Sequence, residues 1–224
     1  MINIVKSIDS FECKEWFLYK HYAHKMPNIV YSFGLFVNCK LIGVCSFGQP
    51  PPNFNNSEDI CVGIKNVRVL ELNRLVVNDG LPKNTLSNFV SKCLKLLPKP
   101  MIIVSYSDTR LGHNGYIYQA TNWVYTGLPQ KTGGREYFID GRWIGNKGIF
   151  HKYGTRKVED LEKLFKGIEY RDVSLKHRYF YFTANKKLKK KLKQKLKYKC
   201  LEYPKGNNKR YDASYNPITQ SKLF

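Results

Sequence analysis

Apolar and polar residues change their period several times along this chain, and each change marks an element. Ile2 to Val5 form a short apolar strand, after which Asp9 or Ser10 is placed to cap a helix that carries Phe11, Trp16, Phe17 and Tyr19 toward His21. Ile29 to Val37 and Leu41 to Phe47 are β-rich, and the Asn38-Cys39-Lys40 between them has the length and chemistry of a hairpin turn. The Pro- and Asn-rich segment QPPPNFNNSED predicts a mobile loop. Val67 to Val77 alternate as a central strand does. Asn84 or Thr85 then caps a helix with Leu86, Phe89, Val90, Cys93, Leu94 and Leu97 on one face, stopped by Pro98 and Pro100.

The richest stretch comes next. Ile102 to Val104 read as the end of a buried strand, and Ser105 to His113 crowd hydroxyls, a carboxylate and an imidazole at its mouth, where α/β sheets bind ligands. Tyr116 to Ala120 suit a short helix before a strand at Trp123 to Thr126. Tyr137 to Ile144 predict a hairpin around Asp140-Gly141, and Val158 to Phe165 a short helix. Arg178 to Thr183 form an aromatic strand. In the following KKLKKKLKQKLK, Leu188, Leu192 and Leu196 recur every four residues, a narrow leucine seam on a lysine-covered helix. From Asn207 onward the chain reads as a frayed tail. The pattern gives an α/β class, with a main domain at 1–175 and a basic C-terminal strand, helix and tail at 176–224.

Composition sharpens this. A hydrophobic fraction of 42% over 224 residues predicts a packed core rather than disorder. The formal charge of +21 calls for a polyanionic partner, and residues 176–210 alone carry +13 of it, with fourteen Lys or Arg against Glu202. Lys186, Lys187, Lys189, Lys190, Lys191 and Lys193 are the candidate phosphate contacts. The aromatic strand beside them offers rings for stacking wherever one is exposed. No apolar run is long enough to span a bilayer and the N-terminus lacks a signal-peptide layout, so a cytoplasmic protein without a membrane partner is expected. The six cysteines show no CxxC spacing and read as reduced thiols.

Four blocks, HYAHKMP, LELNRLVVND, SYSDT with GHNGYIYQATNW, and KHRYFYF, occur in an order and spacing that resemble the Mom DNA-modification family. The resemblance covers most of the chain. It implies a divergent GNAT-like acyltransferase fold, a mixed, mostly antiparallel central sheet flanked by helices whose element order the chain shares, with 1–175 as the catalytic domain. It also implies transfer of a carbamoylmethyl (glycinamide-like) group to the exocyclic 6-amino nitrogen of adenine in double-stranded DNA. DNA so marked escapes restriction. The resemblance implies catalytic roles for His21, Tyr22, Arg74 and Asp108, and donor binding by Ser87. Glu71 and Tyr118 are taken as substrate-binding residues. The chain departs from the family habit at Ala23, where a small hydroxyl residue is usual.

The residues themselves carry part of this reading. Asp108 can accept a proton or hydrogen bond from an amino group, or simply begin a turn. Glu71 and Arg74 are three apart on a strand and fall on opposite faces unless a bulge near Asn73 turns both toward a cleft. His21 and Tyr22 close the first helix, where an imidazole can act as acid, base or ligand. An acyl-CoA-type donor would need a glycine-rich turn before the second long helix, and NDGLPKNTLS has one glycine and a proline. The family link to iron would engage His21, Tyr22 and Asp108. Two rivals share the composition: a GNAT-type N-acetyltransferase acting on a protein or small-molecule amine, and a non-enzymatic basic DNA-binding protein.

Overall fold

The structure is a computed structural model and describes residues 3–129 and 134–206; the tail expected from Asn207 lies outside the described residues. In chain order it runs β1 (Asn3–Ser7), β2 (Tyr31–Val37), β3 (Lys40–Gly48), α1 (Ser57–Ile60), β4 (Arg68–Val77), α2 (Thr85–Leu96), β5 (Met101–Asp108), α3 (Tyr116–Ala120), β6 (Val124–Tyr125), β7 (Arg135–Ile139), β8 (Arg142–Gly145), α4 (Asn146–Tyr153), α5 (Val158–Leu164), β9 (Glu169–Asp172), β10 (Lys176–Thr183) and α6 (Lys186–Gln194). Seven strands form the main sheet in the order β1-β2-β3-β4-β5-β10-β6, and β8-β7-β9 form a small second sheet. Only the β4–β5 pair of the main sheet is parallel. The expected mixed, mostly antiparallel sheet is therefore present.

Leu70, Leu72, Ile103 and Tyr179 pack with Phe89, Val90, Cys93 and Leu94 of α2 in one core. Val69, Ile102, Val104, Phe180 and Phe182 face the other side of the sheet, where Phe54, Ile60 and Leu192 cover them. Period-two alternation on β4, β5 and β10 thus buries both faces of the central strands. β10 lies between β5 and β6, so the strand that opens the basic C-terminal region is an interior strand of the sheet. Three of its four central rings, Tyr179, Phe180 and Phe182, are core. The small sheet encloses its own core of Tyr137, Ile139, Ile149 and Leu161.

Several elements differ from the sequence pattern. The single helix expected before His21 is a 3-10 turn at Ser10–Cys13 followed by a π-helical turn at Trp16–Lys20. The wider turn shifts the phase of the side chains. Trp16 and Phe17 are buried, whereas Phe11 and Tyr19 are 72% and 57% exposed. The segment QPPPNFNNSED, expected to be mobile, buries Phe54 against Phe180 of β10 and enters α1, whose last residue, Ile60, is buried in the same core. Asn84 precedes α2 in a left-handed conformation without a side-chain cap, and the Thr85 hydroxyl donates to the Pro82 carbonyl. α4 and β9 carry no distinct sequence signal. The Asn38-Cys39 turn, by contrast, is the expected hairpin, with φ of 47° and 62°.

The bulge near Asn73 is present. Pairing of β3 with β4 passes from Ser46↔Arg74 to Phe47↔Leu72, leaving Asn73 as the extra residue. Its Oδ1 accepts from the Ser46 hydroxyl at 2.7 Å, and its Nδ2 donates to the Asn28 carbonyl at 2.8 Å. Gly48 makes this approach possible: a Cβ there would lie 1.8 Å from the Asn28 carbonyl oxygen. Gly48→Ala must push that backbone away from the bulge, and urea unfolding is expected to show a loss of about 1–3 kcal/mol.

Candidate functional site

β4 and β5 are hydrogen-bonded only as far as Glu71↔Val104, yet β4 continues to Val77 and β5 to Asp108. Beyond that point β4 stays with β3 and β5 with β10, so the sheet splays open. A cleft of about 550 Å³ fills the gap, within the range of small-molecule sites. One arm supplies Glu71 and Arg74, the other Tyr106, Ser107 and Asp108, and His21, Tyr22, Ser87, His113, Tyr118 and Lys176 complete the wall. All seven residues singled out from sequence for catalysis, donor or substrate binding therefore line one cleft.

The two faces of the splayed strands differ in chemistry. On the α2 side, Ser105 Oγ donates to the Leu72 carbonyl and lies 2.8 Å from the Tyr118 hydroxyl. The Tyr118 ring packs on Trp123 and Tyr179, and burial pushes its phenol well up. Tyr118 thus belongs to the wall by its hydroxyl and to the core by its ring. Ser107, two residues beyond Ser105, is 5% exposed, and its Oγ has no partner among the described residues.

On the opposite face sit Glu71, Tyr106 and Asp108. Burial raises the Glu71 carboxyl to about 7, against the opposing pull of Arg74 and Lys176. A carboxyl that titrates there is suited to take a proton at neutral pH. Asp108 is 4% exposed. Its Oδ1 accepts from the Ser174 hydroxyl and from the Arg110 amide at 3.0 Å, capping a 3-10 turn at Thr109–Leu111, and its Oδ2 lies 3.6 Å from Lys176 Nζ. Asp108 thus caps the turn, as one of its two readings expected, and also pairs with the charge of Lys176.

The segment after the π-helical turn closes the cleft. His21 stacks on Tyr22 at 4.3 Å, and Tyr22 meets the edge of His113 at 5.8 Å. Burial, reinforced by Arg74, His24 and His113, lowers His21 to about 3, so the ring is neutral at physiological pH. Its Nδ1 accepts the Ala23 amide at 3.1 Å, which places the proton on Nε2. Burial also lowers His113, against the pull of Asp108, and raises Tyr22. Arg74 Nε and Nη2 donate to the Lys25 carbonyl at 3.3 Å each, and Nη1 donates to the Asn73 carbonyl at 2.7 Å. The guanidinium ties the His21–Lys25 segment to the bulge instead of presenting an open fork.

Iron does not fit this arrangement. Of the three expected ligands, His21, Tyr22 and Asp108, two are already committed: the Nδ1 of His21 accepts an amide, and both oxygens of Asp108 are engaged, one by an ammonium. For a donor, Ser87 stands in the first turn of α2, with its hydroxyl donating to the Asn84 carbonyl at 3.0 Å and its side chain on the cleft wall. Cys13, Cys45, Cys61 and Cys93 are buried free thiols. No helix among the described residues is long and apolar enough to cross a membrane.

The fold and cleft define a mixed α/β protein whose splayed sheet gathers titratable side chains. The Mom protein family matches residues 3–205, and the chain belongs to that family. It is 32% identical over 129 residues to methylcarbamoylase mom of Escherichia phage Mu, covering 55% of this chain and 52% of that protein. The chain thus spans about half the length of this curated relative. Among solved structures it aligns with an IAA acetyltransferase from Bacillus cereus, at 8% identity over 81% of this chain and 99% of that one, TM-score 0.43. A putative acetyltransferase, yncA from Salmonella typhimurium, aligns at 9% identity over 82% and 95%, TM-score 0.45.

Proposed function

We propose that this chain is a cytoplasmic DNA-modifying transferase that places a carbamoylmethyl group on the 6-amino nitrogen of adenine. The observation that carries this reading is a near-neutral carboxyl, Glu71, in a cleft beside neutral His21 and the Asp108–Lys176 pair. The amino nitrogen bonds to the methylene carbon of the carbamoylmethyl group as the bond from that carbon to the donor breaks, the donor remainder leaves with that bond's electron pair, and Glu71 accepts the amino proton that is released. The Nε2–H of His21 donates a hydrogen bond to an electronegative atom of base or donor. Asp108 and Arg74 hold these groups in place.

The amino group of a stacked adenine cannot enter a cleft of this kind, so the base is flipped out of the duplex. Tyr22 and the half-exposed Tyr116 supply flat surfaces at the cleft for it. Mass spectrometry of nucleosides from DNA co-expressed with the protein tests the reading. The expected product is an adenine nucleoside heavier by one carbamoylmethyl group in place of hydrogen. Unaltered nucleosides from cells holding the folded protein would refute it, and a modified amine elsewhere would point to the acetyltransferase rival.

Duplex DNA is held electrostatically. Lys186, Lys187, Lys190 and Lys191 are exposed on α6, away from the seam formed by Leu188, Leu192 and Leu196. Changing all four to glutamine is expected to flatten the slope of log K against log salt by about 0.9 for each phosphate that is no longer neutralised, without altering base preference. Filter binding over a salt series measures it.

A further inference from the structure

The small sheet has two unlike faces. Tyr137 and Ile139 of β7 point into its core with Ile149 of α4 and Leu161 of α5, so Glu136 and Phe138 point the other way. The register sets Trp143 of β8 and Glu169 of β9 beside Phe138, and Arg171 of β9 beside Glu136. On this outer face the Phe138 and Trp143 rings lie 5.3 Å apart, and the Arg171 guanidinium lies 3.8 Å from the centroid of the indole. Phe138 is 38% exposed and Trp143 half-buried, whereas Trp16 and Trp123 are core.

This face is tied to the cleft. Glu136 Oε2 accepts from Arg171 Nε at 2.9 Å and from Arg110 Nη1 at 3.1 Å, and the Arg110 amide donates to Asp108 Oδ1 at 3.0 Å. Two guanidinium groups share one carboxylate here, so the row nearer Asp108 keeps a surplus of positive charge that complements a backbone phosphate. Glu169 stands one row further off, beside Phe138. Two rings and a guanidinium held flat by an ion pair form a surface on which a base can stack. We propose that this face receives a base of the DNA substrate that loses its stacking partner when the target adenine leaves the duplex, with the backbone crossing Arg110 between the two. A regular duplex offers only base edges in its grooves, so the face engages distorted or unpaired DNA, whereas the lysines of α6 hold any duplex. The proposal rests on the reading of the cleft as a site for flipped adenine.

Titration of the full chain with single-stranded oligothymidine and with a fully paired duplex tests it. Oligothymidine has free base faces and no adenine, so the cleft's preference for its target does not enter. Its binding is expected to quench the tryptophan emission of the unaltered chain, since Trp143 is the tryptophan outside the core, and Trp143→Phe should bind equally well without the quench. Phe138→Ala combined with Trp143→Ala is expected to weaken oligothymidine by about tenfold and to leave duplex affinity within about twofold. If the double variant fails to fold, Phe138→Ala alone serves, because that ring is outside the core. Unchanged emission of the unaltered chain bound to oligothymidine overturns the proposal. So does an equal loss of affinity for both DNAs, which would make the face a general duplex contact. Self-association of the unaltered chain that the double variant abolishes would assign the face to a second copy and also overturn it. Unmodified nucleosides from cells, with the oligothymidine quench intact, would sink the DNA-modification reading and leave the stacking face standing.

Discussion

Glu71→Gln leaves the chain folded and lowers adenine modification by about 100-fold or more, the scale of a lost general base. The pH profile identifies the cause. With the carboxyl at about 7, the rate of the unaltered chain rises about tenfold per unit below that value and levels above it, because only the ionised group accepts the amino proton. The variant lacks this limb. Stability carries the same signature: the folded carboxyl keeps its proton up to about 7 while the unfolded one releases it near 4.5, so between these values the folded state binds more protons and loses stability as pH rises. Glutamine abolishes that loss, visible in urea melts at the two ends of the window. His21 works oppositely, since its ring, lowered from 6.5 to about 3, makes stability fall as pH drops through that interval. An unchanged rate and limb in Glu71→Gln would assign proton acceptance to another group.

Asp108→Asn keeps the fold and lowers modification by about 10- to 100-fold. The amide oxygen still accepts the Arg110 amide and caps the 3-10 turn, so the midpoint of thermal unfolding moves by only a few degrees. What is lost is the charge opposite Lys176. Released from Asp108, that ammonium acts more strongly on Glu71, whose pKa it already pulls down, and the rising limb of the pH profile moves to lower pH. A merely structural Asp108 would leave the limb where it is. Activity and limb both unchanged would remove Asp108 from the machinery.

Much of this is legible in the sequence because local chemistry encodes it. Asn38-Cys39 announces the hairpin, the leucines of α6 its buried seam, and the spacing of Glu71 and Arg74 requires a bulge at Asn73 to make a common site. Other features depend on distant partners. Phe54 looks like a loop residue until Phe180 and Tyr198 pack against it. Nothing near Arg74 in the sequence announces that the Lys25 carbonyl, 49 residues away, takes up its guanidinium. Asp108 stands out by its neighbours in sequence, whereas Glu71 gains its near-neutral pKa from burial, a property of the assembled sheet. Ser107 lies within the hydroxyl-rich stretch that stands out in sequence, but only the splay of β4 from β5 leaves its hydroxyl at the cleft without a partner among the described residues.

The position of β10 between β5 and β6 fixes when the protein can become active during its synthesis. Until residues 176–183 leave the ribosome, β5 has one edge open from Met101 to Asp108, β6 has no strand to pair with, and the apolar side chains beneath them stay wet. Lys176 of this segment and Ser174 just before it meet Asp108. A nascent or truncated chain ending before it therefore holds most of the sequence of the cleft but not its charge arrangement, and it exposes a sticky strand edge. Premature termination before the last strand yields material for proteolysis rather than a chain with a completed cleft.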